Sequence, residues 1–195
     1  MLEEETQLNE FENVLTEATS EVESLVELLD RDKARVASTI IDQVLETASA
    51  LVTQLLKADR ASIFLTDHEQ QELRSRVALQ SDEIVIPFAT GGLAVSVATS
   101  GKPINVPNAS KEPRFNPEYD RKTGYVTRNI LSMPVFSQDG STVIAVTQLI
   151  NKQGDQPFDQ ADEAVFGRFG EVLGKLLESC THLSKAPSSS AAPGA

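Results

Sequence analysis

The chain has 195 residues, 40% of them apolar, enough for one globular domain with a core and some additional helix but cramped for two. Its net charge is −12, yet ten acids (Glu3, Glu4, Glu5, Glu10, Glu12, Glu17, Glu21, Glu23, Glu27, Asp30) fall in the first thirty residues beside no Lys or Arg, leaving 19 acids against 17 bases elsewhere. These totals argue against a basic face for duplex phosphates, and one cysteine (Cys180) with two histidines (His68, His182) excludes an internal disulfide and structural zinc.

No apolar run approaches the roughly eighteen residues of a membrane span, and Glu3-Glu4-Glu5 stands where a secretory signal would carry positive charge. A soluble, cytoplasmic chain is expected, with no membrane or nucleic-acid partner, either alone or as a piece of a larger regulator.

The first element is a helix over residues 1–35. Leu8, Phe11, Leu15, Ala18, Val22, Leu25 and Leu29 repeat at intervals of 3 and 4, which keeps one narrow apolar seam along a strongly acidic helix. The seam suits self-association as a coiled-coil-like dimer; packing on its own domain and disorder are the alternatives. After the charged break Asp30 to Lys33, Val36, Ile40, Val44, Ala48, Leu51 and Leu55, widened by Ile41, Leu45 and Val52, describe a second helix broad enough to lie on a sheet.

Ala61 to Leu65 begins that sheet, a polar turn follows over Asp67 to Gln71, and Glu72 to Leu79 is its hairpin partner, with a short strand at Ile84 to Ile86. Gly91-Gly92 opens a short helix of small residues, Leu93 to Thr99, which Ser100-Gly101 ends. Pro103 to Val106 is extended. Residues 107–128 carry Pro107, Pro113 and Pro117 and no sustained periodicity, which predicts a long loop or single helical turns acting as a lid.

Ile130 to Phe136 and Thr142 to Ile150 are apolar strands joined by Ser137-Gln138-Asp139-Gly140, a hairpin signal, and are expected antiparallel in the middle of the sheet. Asp159 can cap a last helix whose face runs through Val165, Phe169, Val172, Leu176, Cys180 and Leu183. Gly167, Gly170 and Gly174 each weaken that helix by about 1 kcal/mol relative to Ala, so close packing against another helix is expected to compensate. Residues 184–195, small and Pro-containing, read as a disordered tail or linker. This order gives an α+β domain over 36–183: an antiparallel sheet with the terminal helices on one face, and the short helix and lid, with any ligand, on the other.

Asn151-Lys152, five residues, Phe158, three residues and Asp162-Glu163 form the pattern Asn-Lys-Xn-Phe-X3-Asp-Glu. Asp59 to Leu65, Gly91 to Ala94 and Thr123 to Leu131 supply further ordered pieces. Together they resemble the GAF domains that bind cyclic nucleotides in cyclic-nucleotide phosphodiesterases and cyanobacterial adenylate cyclases, over about Val36 to Leu183. The resemblance implies a regulatory sensor module with no covalently bound cofactor, whose ligand is a cyclic nucleotide and whose occupancy is relayed through dimeric terminal helices to an effector domain in a longer chain. A ligand-free dimerisation or protein-interaction module is the alternative.

Within that resemblance, Asn151, Lys152, Phe158, Asp162 and Glu163 support the pocket, Lys152 and Asp162 forming an ion pair that ties a strand end to a helix start. A cyclic phosphate would sit on the backbone amides of Leu93 and Ala94, where Gly91 and Gly92 let it approach and the helix dipole favours an anion. Ser62, Thr123, Thr127 and Gln148 match the family's base and ribose contacts, since hydroxyls and amides both donate and accept. An ordinary turn into a helix for Leu93 and Ala94, strand hydrogen bonding for Ser62 and loop capping for Thr123 and Thr127 are the structural alternatives. Phosphodiesterase-type cyclic-GMP sites tend to carry an aromatic and an acidic residue where this chain has Ala78 and Leu79, which favours cyclic AMP over cyclic GMP. Rival activities of the fold need pocket cysteines, whereas Cys180 falls on the last helix's apolar face, and no Ser-His-Asp set, acid pair or metal cluster suggests catalysis.

Overall fold

Side-chain alternation decides how the sheet is used. In the computed structural model, which describes residues 33–78, 84–154 and 156–184 together with Asn13, Thr16, Glu17 and Ser20, β1 (Ala58–Asp67) sends Ala61 and Ile63 into one core and Phe64 into another on the opposite face. Five more strands follow: β2 (Glu72–Ala78), β3 (Val85–Pro87), β4 (Ile104–Val106), β5 (Ile130–Phe136) and β6 (Val143–Lys152). They form one antiparallel sheet in the order β3-β2-β1-β6-β5-β4. The central pair is β1 with β6, and β5 lies one strand further out; the expectation of a β5–β6 hairpin at the sheet centre is corrected to this extent. β2 and β3 extend the sheet beyond β1 and so set its centre at β1 and β6, while Ile104–Val106 pairs with the outer side of β5 and makes it an interior strand.

Helices α1 (Lys33–Leu55) and α4 (Gln160–Ser184) share one face of the sheet. Their core holds Leu45, Ala48 and Val52 from α1, Leu131, Met133 and Val135 from β5, and Phe166, Phe169, Leu173 and Leu176 from α4. Phe166 and Phe169 stack at 5.8 Å; burying each phenyl contributes about 1.5–3 kcal/mol. The buried stripe of α4 is therefore centred on Phe166, Phe169, Leu173 and Leu176, with Val165 and Val172 half-buried at its margin. The predicted face shares Phe169 and Leu176 with this stripe but is rotated towards Val165 and Val172, and so leaves out Phe166 and Leu173, which fill the core.

The glycines of α4 face a strand, not a helix, which corrects the sequence expectation. A Cβ on Gly174 would stand 2.4 Å from the Phe136 carbonyl oxygen, and one on Gly170 would stand 3.4 Å from the Pro134 carbonyl oxygen. The absent side chains let α4 lie directly on the backbone of β5.

The opposite face carries α2 (Leu93–Ser100), ended by Gly101 at φ +64°, and a lid over residues 107–128. The lid contains a 3-10 turn (Ala109–Lys111), capped by the Asn108 side chain, and α3 (Glu118–Thr123), ended by Gly124. Its two ends meet where the Ala109 amide donates to the Arg128 carbonyl at 2.7 Å. Loop chemistry rather than periodicity makes these single turns, in keeping with the sequence expectation. The Leu8 to Leu29 seam, Leu79 and residues 185–195 lie outside the described residues, as does the Cys180 side chain. Asn13, Thr16, Glu17 and Ser20 are helical and exposed. Among the described residues no helix is long and apolar enough to cross a membrane.

Candidate functional site

A cavity of about 960 Å³ lies between the sheet and the lid, floored by β1 and β6 and closed at one side by the start of α2. This is within the range of small-molecule sites. The floor is built by register: Ser62 of β1 and Ser132 of β5 are both Cα partners of Gln148 on β6, so three polar side chains cross the sheet in one row. Gln148 Nε2 donates to Ser132 Oγ at 2.7 Å. This leaves Gln148 Oε1 and Ser62 Oγ without hydrogen-bond partners among the described residues, both at the cavity surface.

At the α2 end, Gly91 (φ +67°) and Gly92 (φ +101°) make a turn that L side chains rarely adopt, and the first helical bond runs from the Ser96 amide to the Gly92 carbonyl. The amides before Ser96 carry the unpaired donors of a helix start. Leu93 and Ala94 line the cavity there.

The lid side chains divide differently from the sequence expectation. Thr127 lines the cavity, but its amide and hydroxyl both donate to the Asp120 carboxylate, at 2.7 and 2.9 Å. Thr123 is exposed and outside the cavity lining; its hydroxyl donates to the Tyr119 carbonyl and accepts from the Tyr125 amide. Thr123 thus closes the last turn of α3, the capping role that sequence allowed as its alternative.

The Asn-Lys-Phe-Asp-Glu residues come together beneath the lid's return. Asn151, 1% exposed and at φ +59°, accepts from the Arg128 amide at 2.6 Å and donates from Nδ2 to Tyr125 Oη and the Val126 carbonyl, both at 2.8 Å. Asn129 returns the contact by accepting from the Lys152 amide. Lys152 Nζ then pairs with Asp162 Oδ1, its ammonium 5.8 Å from the Phe158 ring centre. Asp162 also accepts from the Asp159 amide while Asp159 accepts from the Asp162 amide, a reciprocal cap on α4. That amide holds the Asp159 carboxyl below its usual range. On the far side, Asn105 Nδ2 donates to the Phe158 carbonyl and to Glu163 Oε1, both at 2.9 Å, fastening β4 to the same corner. Lys152 is not part of the cavity wall.

Three further residues enter the site. Arg60 lines the cavity, with its guanidinium carbon 3.8 Å from the Tyr125 ring centre and Nη1 donating to Tyr119 Oη at 3.4 Å. Burial, and secondarily the Asp59 carboxylate, pushes the Tyr125 phenol above its ordinary value. Asp120 orders the lid from within. Arg60 and Tyr125 lie in stretches that carry the family resemblance, and period-two alternation back from Ser62 also pointed to Arg60; Asp120 had no signal, because lid contacts have no period.

Comparison with known proteins joins this geometry to a family, since residues 41–177 match the model of the GAF domain. The chain belongs to the GAF family. The GAF domain is 35% identical over 154 residues to the dual 3',5'-cyclic-AMP and -GMP phosphodiesterase 11 of Drosophila melanogaster, covering 70% of this chain and 10% of that protein. It is 34% identical over 150 residues to the probable 3',5'-cyclic phosphodiesterase pde-5 of Caenorhabditis elegans, with 70% and 20% covered. The chain therefore spans a fifth or less of these relatives' length. Among solved structures, the GAF domain of an Acinetobacter phosphoenolpyruvate-protein phosphotransferase superposes with a TM-score of 0.61 at 19% identity, covering 88% of this chain and 97% of that one. The free methionine-R-sulfoxide reductase of Neisseria meningitidis has a TM-score of 0.59 at 19% identity, covering 88% and 92%. These likenesses show the shared fold.

Proposed function

We propose that this GAF domain is a regulatory module that binds a cyclic nucleotide in the cavity under the lid, with cyclic AMP preferred to cyclic GMP. The observation that carries the reading is one roofed cavity holding unpaired amides at the α2 start and unpaired groups on Ser62 and Gln148. A cyclic nucleotide needs an anion site and, at a distance, hydrogen-bonding partners for base and ribose. Both kinds of group stand on rigid elements here. The phosphodiesterase relatives support the same ligand class. In this reading Leu93 and Ala94 meet the phosphate, Ser62 and Gln148 the base or ribose, and Thr127 orders the lid with Asp120. Asn151, Lys152, Phe158, Asp162 and Glu163 brace the pocket.

The cyclic AMP preference rests on Ala78 and Leu79, which carry no hydrogen-bonding side chain for a guanine edge. Ala78 is the Cα partner of Ser62 on β2 and so occupies the strand position next to the floor row. The role is non-catalytic and cytoplasmic: occupancy, rather than turnover, is the output.

A physical path supports a relay. The lid's return at Arg128-Asn129 is bonded to Asn151, the adjoining Lys152 pairs with Asp162, and Asp162 caps α4 beside α1. Ordering the lid would thus bias the terminal helices, which in a homodimer joined by the Leu8 to Leu29 seam would pass the signal to an effector domain. Calorimetric titration with cyclic AMP and cyclic GMP tests the ligand, and heat from neither, with no change in melting temperature, would refute it. Light scattering of the full chain and of one lacking residues 1–30 tests the dimer; monomers in both would refute the relay.

A further inference from the structure

We infer that Arg60 is an anion-contacting residue of the cavity, supplying the positive side-chain charge that meets the ligand's phosphate. This rests on the cyclic-nucleotide reading for the identity of the ligand, and on the following geometry for the anion contact. Three basic side chains line the cavity: Arg60, Arg114 and Lys122. Two are already neutralised. Arg114 Nε lies 2.6 Å from Glu112, and Lys122 Nζ lies 2.7 Å from Glu118.

Arg60 differs. Among the described residues no carboxylate oxygen lies within ion-pair distance of its guanidinium. The neighbouring acid Asp59 lies 3.7 Å from Arg128 instead, and Asp120 turns both oxygens to Thr127. A guanidinium has five donors and never loses its charge. One of the five makes a 3.4 Å bond to Tyr119 Oη, and the flat face is held against Tyr125. Tyr125 is itself fixed by Asn151, so the guanidinium is set in place before any ligand arrives. Stacking occupies its face and leaves its N–H edge, which suits a bidentate contact to a phosphate or another oxyanion.

The test separates this contact from a lid fastening and from the nucleotide reading. Binding of cyclic AMP and of adenosine, which lacks the phosphate, is measured for wild type, Arg60→Gln and Arg60→Lys. Arg60→Gln is expected to weaken cyclic AMP by roughly 10- to 100-fold and adenosine by less than about threefold, with Arg60→Lys in between. Equal losses for both ligands, or no loss, would overturn the proposal and leave Arg60 a lid contact. A second measurement needs no variant: the Arg60 Nε–H resonance of the wild-type chain is followed by NMR. It is expected to move with cyclic AMP and with inorganic phosphate but not with adenosine, and a resonance unmoved by either anion would overturn the contact. If inorganic phosphate moves it while neither cyclic nucleotide binds, the anion contact stands and the nucleotide reading falls.

Discussion

Replacing Asp162 by Asn while keeping Lys152 removes the charge from the strand-to-helix tie and leaves an oxygen to accept from the Asp159 amide. The Asp162 side chain is 9% exposed and that of Lys152 is 20%, so the pair is largely but not wholly withdrawn from water. Hydrogen bonds to charged groups contribute about 1.5–3 kcal/mol. Because the Lys152 ammonium can swing to solvent once its partner is neutral, the loss for Asp162→Asn belongs near the lower end, about 1.5–2 kcal/mol. Asp162→Ala also removes half of the reciprocal cap, adding about 1 kcal/mol. Lys152→Met strands a buried carboxylate, an effect of about 3–5 kcal/mol for an isolated charge. Here the α4 dipole offsets about 1–2 kcal/mol of this, leaving about 2–3. The double variant Lys152→Met with Asp162→Asn is expected to recover at least about 1 kcal/mol relative to the sum of the singles. Urea denaturation of the four proteins gives this cycle. Losses that add within about 0.5 kcal/mol would show that the two residues act independently and refute the brace.

Other variants test neighbouring parts of the structure. Gly174→Ala places a methyl 2.4 Å from the Phe136 carbonyl and is expected to lower stability by about 1–3 kcal/mol despite its better helix propensity, whereas Gly167→Ala, facing only the flexible end of Met133, is expected to be neutral or stabilising; thermal melts compare them. Asn151→Ala leaves the Arg128 amide and the Val126 carbonyl without their partner and should cost about 2–5 kcal/mol in the same assay. The Tyr125 phenol is held above its ordinary value of 10.0 by burial, so its contribution is fully present below that pH and is lost as pH rises through the folded value. Melting temperatures across the alkaline range should therefore fall more steeply for wild type than for Tyr125→Phe, and parallel curves would count against the buried phenol.

Elements with a strong local signal were legible in the sequence, and elements set by tertiary contact were not. The two hairpins, the Gly91-Gly92 helix start and the Asp159 cap follow from alternation and turn chemistry, and each lies where those signals put it. The Asn-Lys-Phe-Asp-Glu spacing was readable as a tie between a strand end and a helix start because Lys152 and Asp162 flank a short connection. Its extension through Asn105 was not, since β4 reaches that corner only by pairing with β5. The glycines of α4 were visible as a defect without a partner; only the packing angle shows that β5 backbone fills the space. Thr123 and Thr127 lie four residues apart on the same lid, yet one faces solvent and the other the cavity, a difference that depends on where α3 ends.

The most direct test of a phosphate seated at the α2 start is a titration of the 15N-labelled chain with cyclic AMP, followed by its backbone amide resonances. The Leu93 and Ala94 amides, with Ser62 and Gln148 on the floor, are expected to move together and saturate at one affinity, while Lys57 and Gln153 at the shallow pocket beside α1 stay in place. Shifts confined to residues outside the cavity, or none at saturating nucleotide, would contradict a cyclic-nucleotide site under the lid.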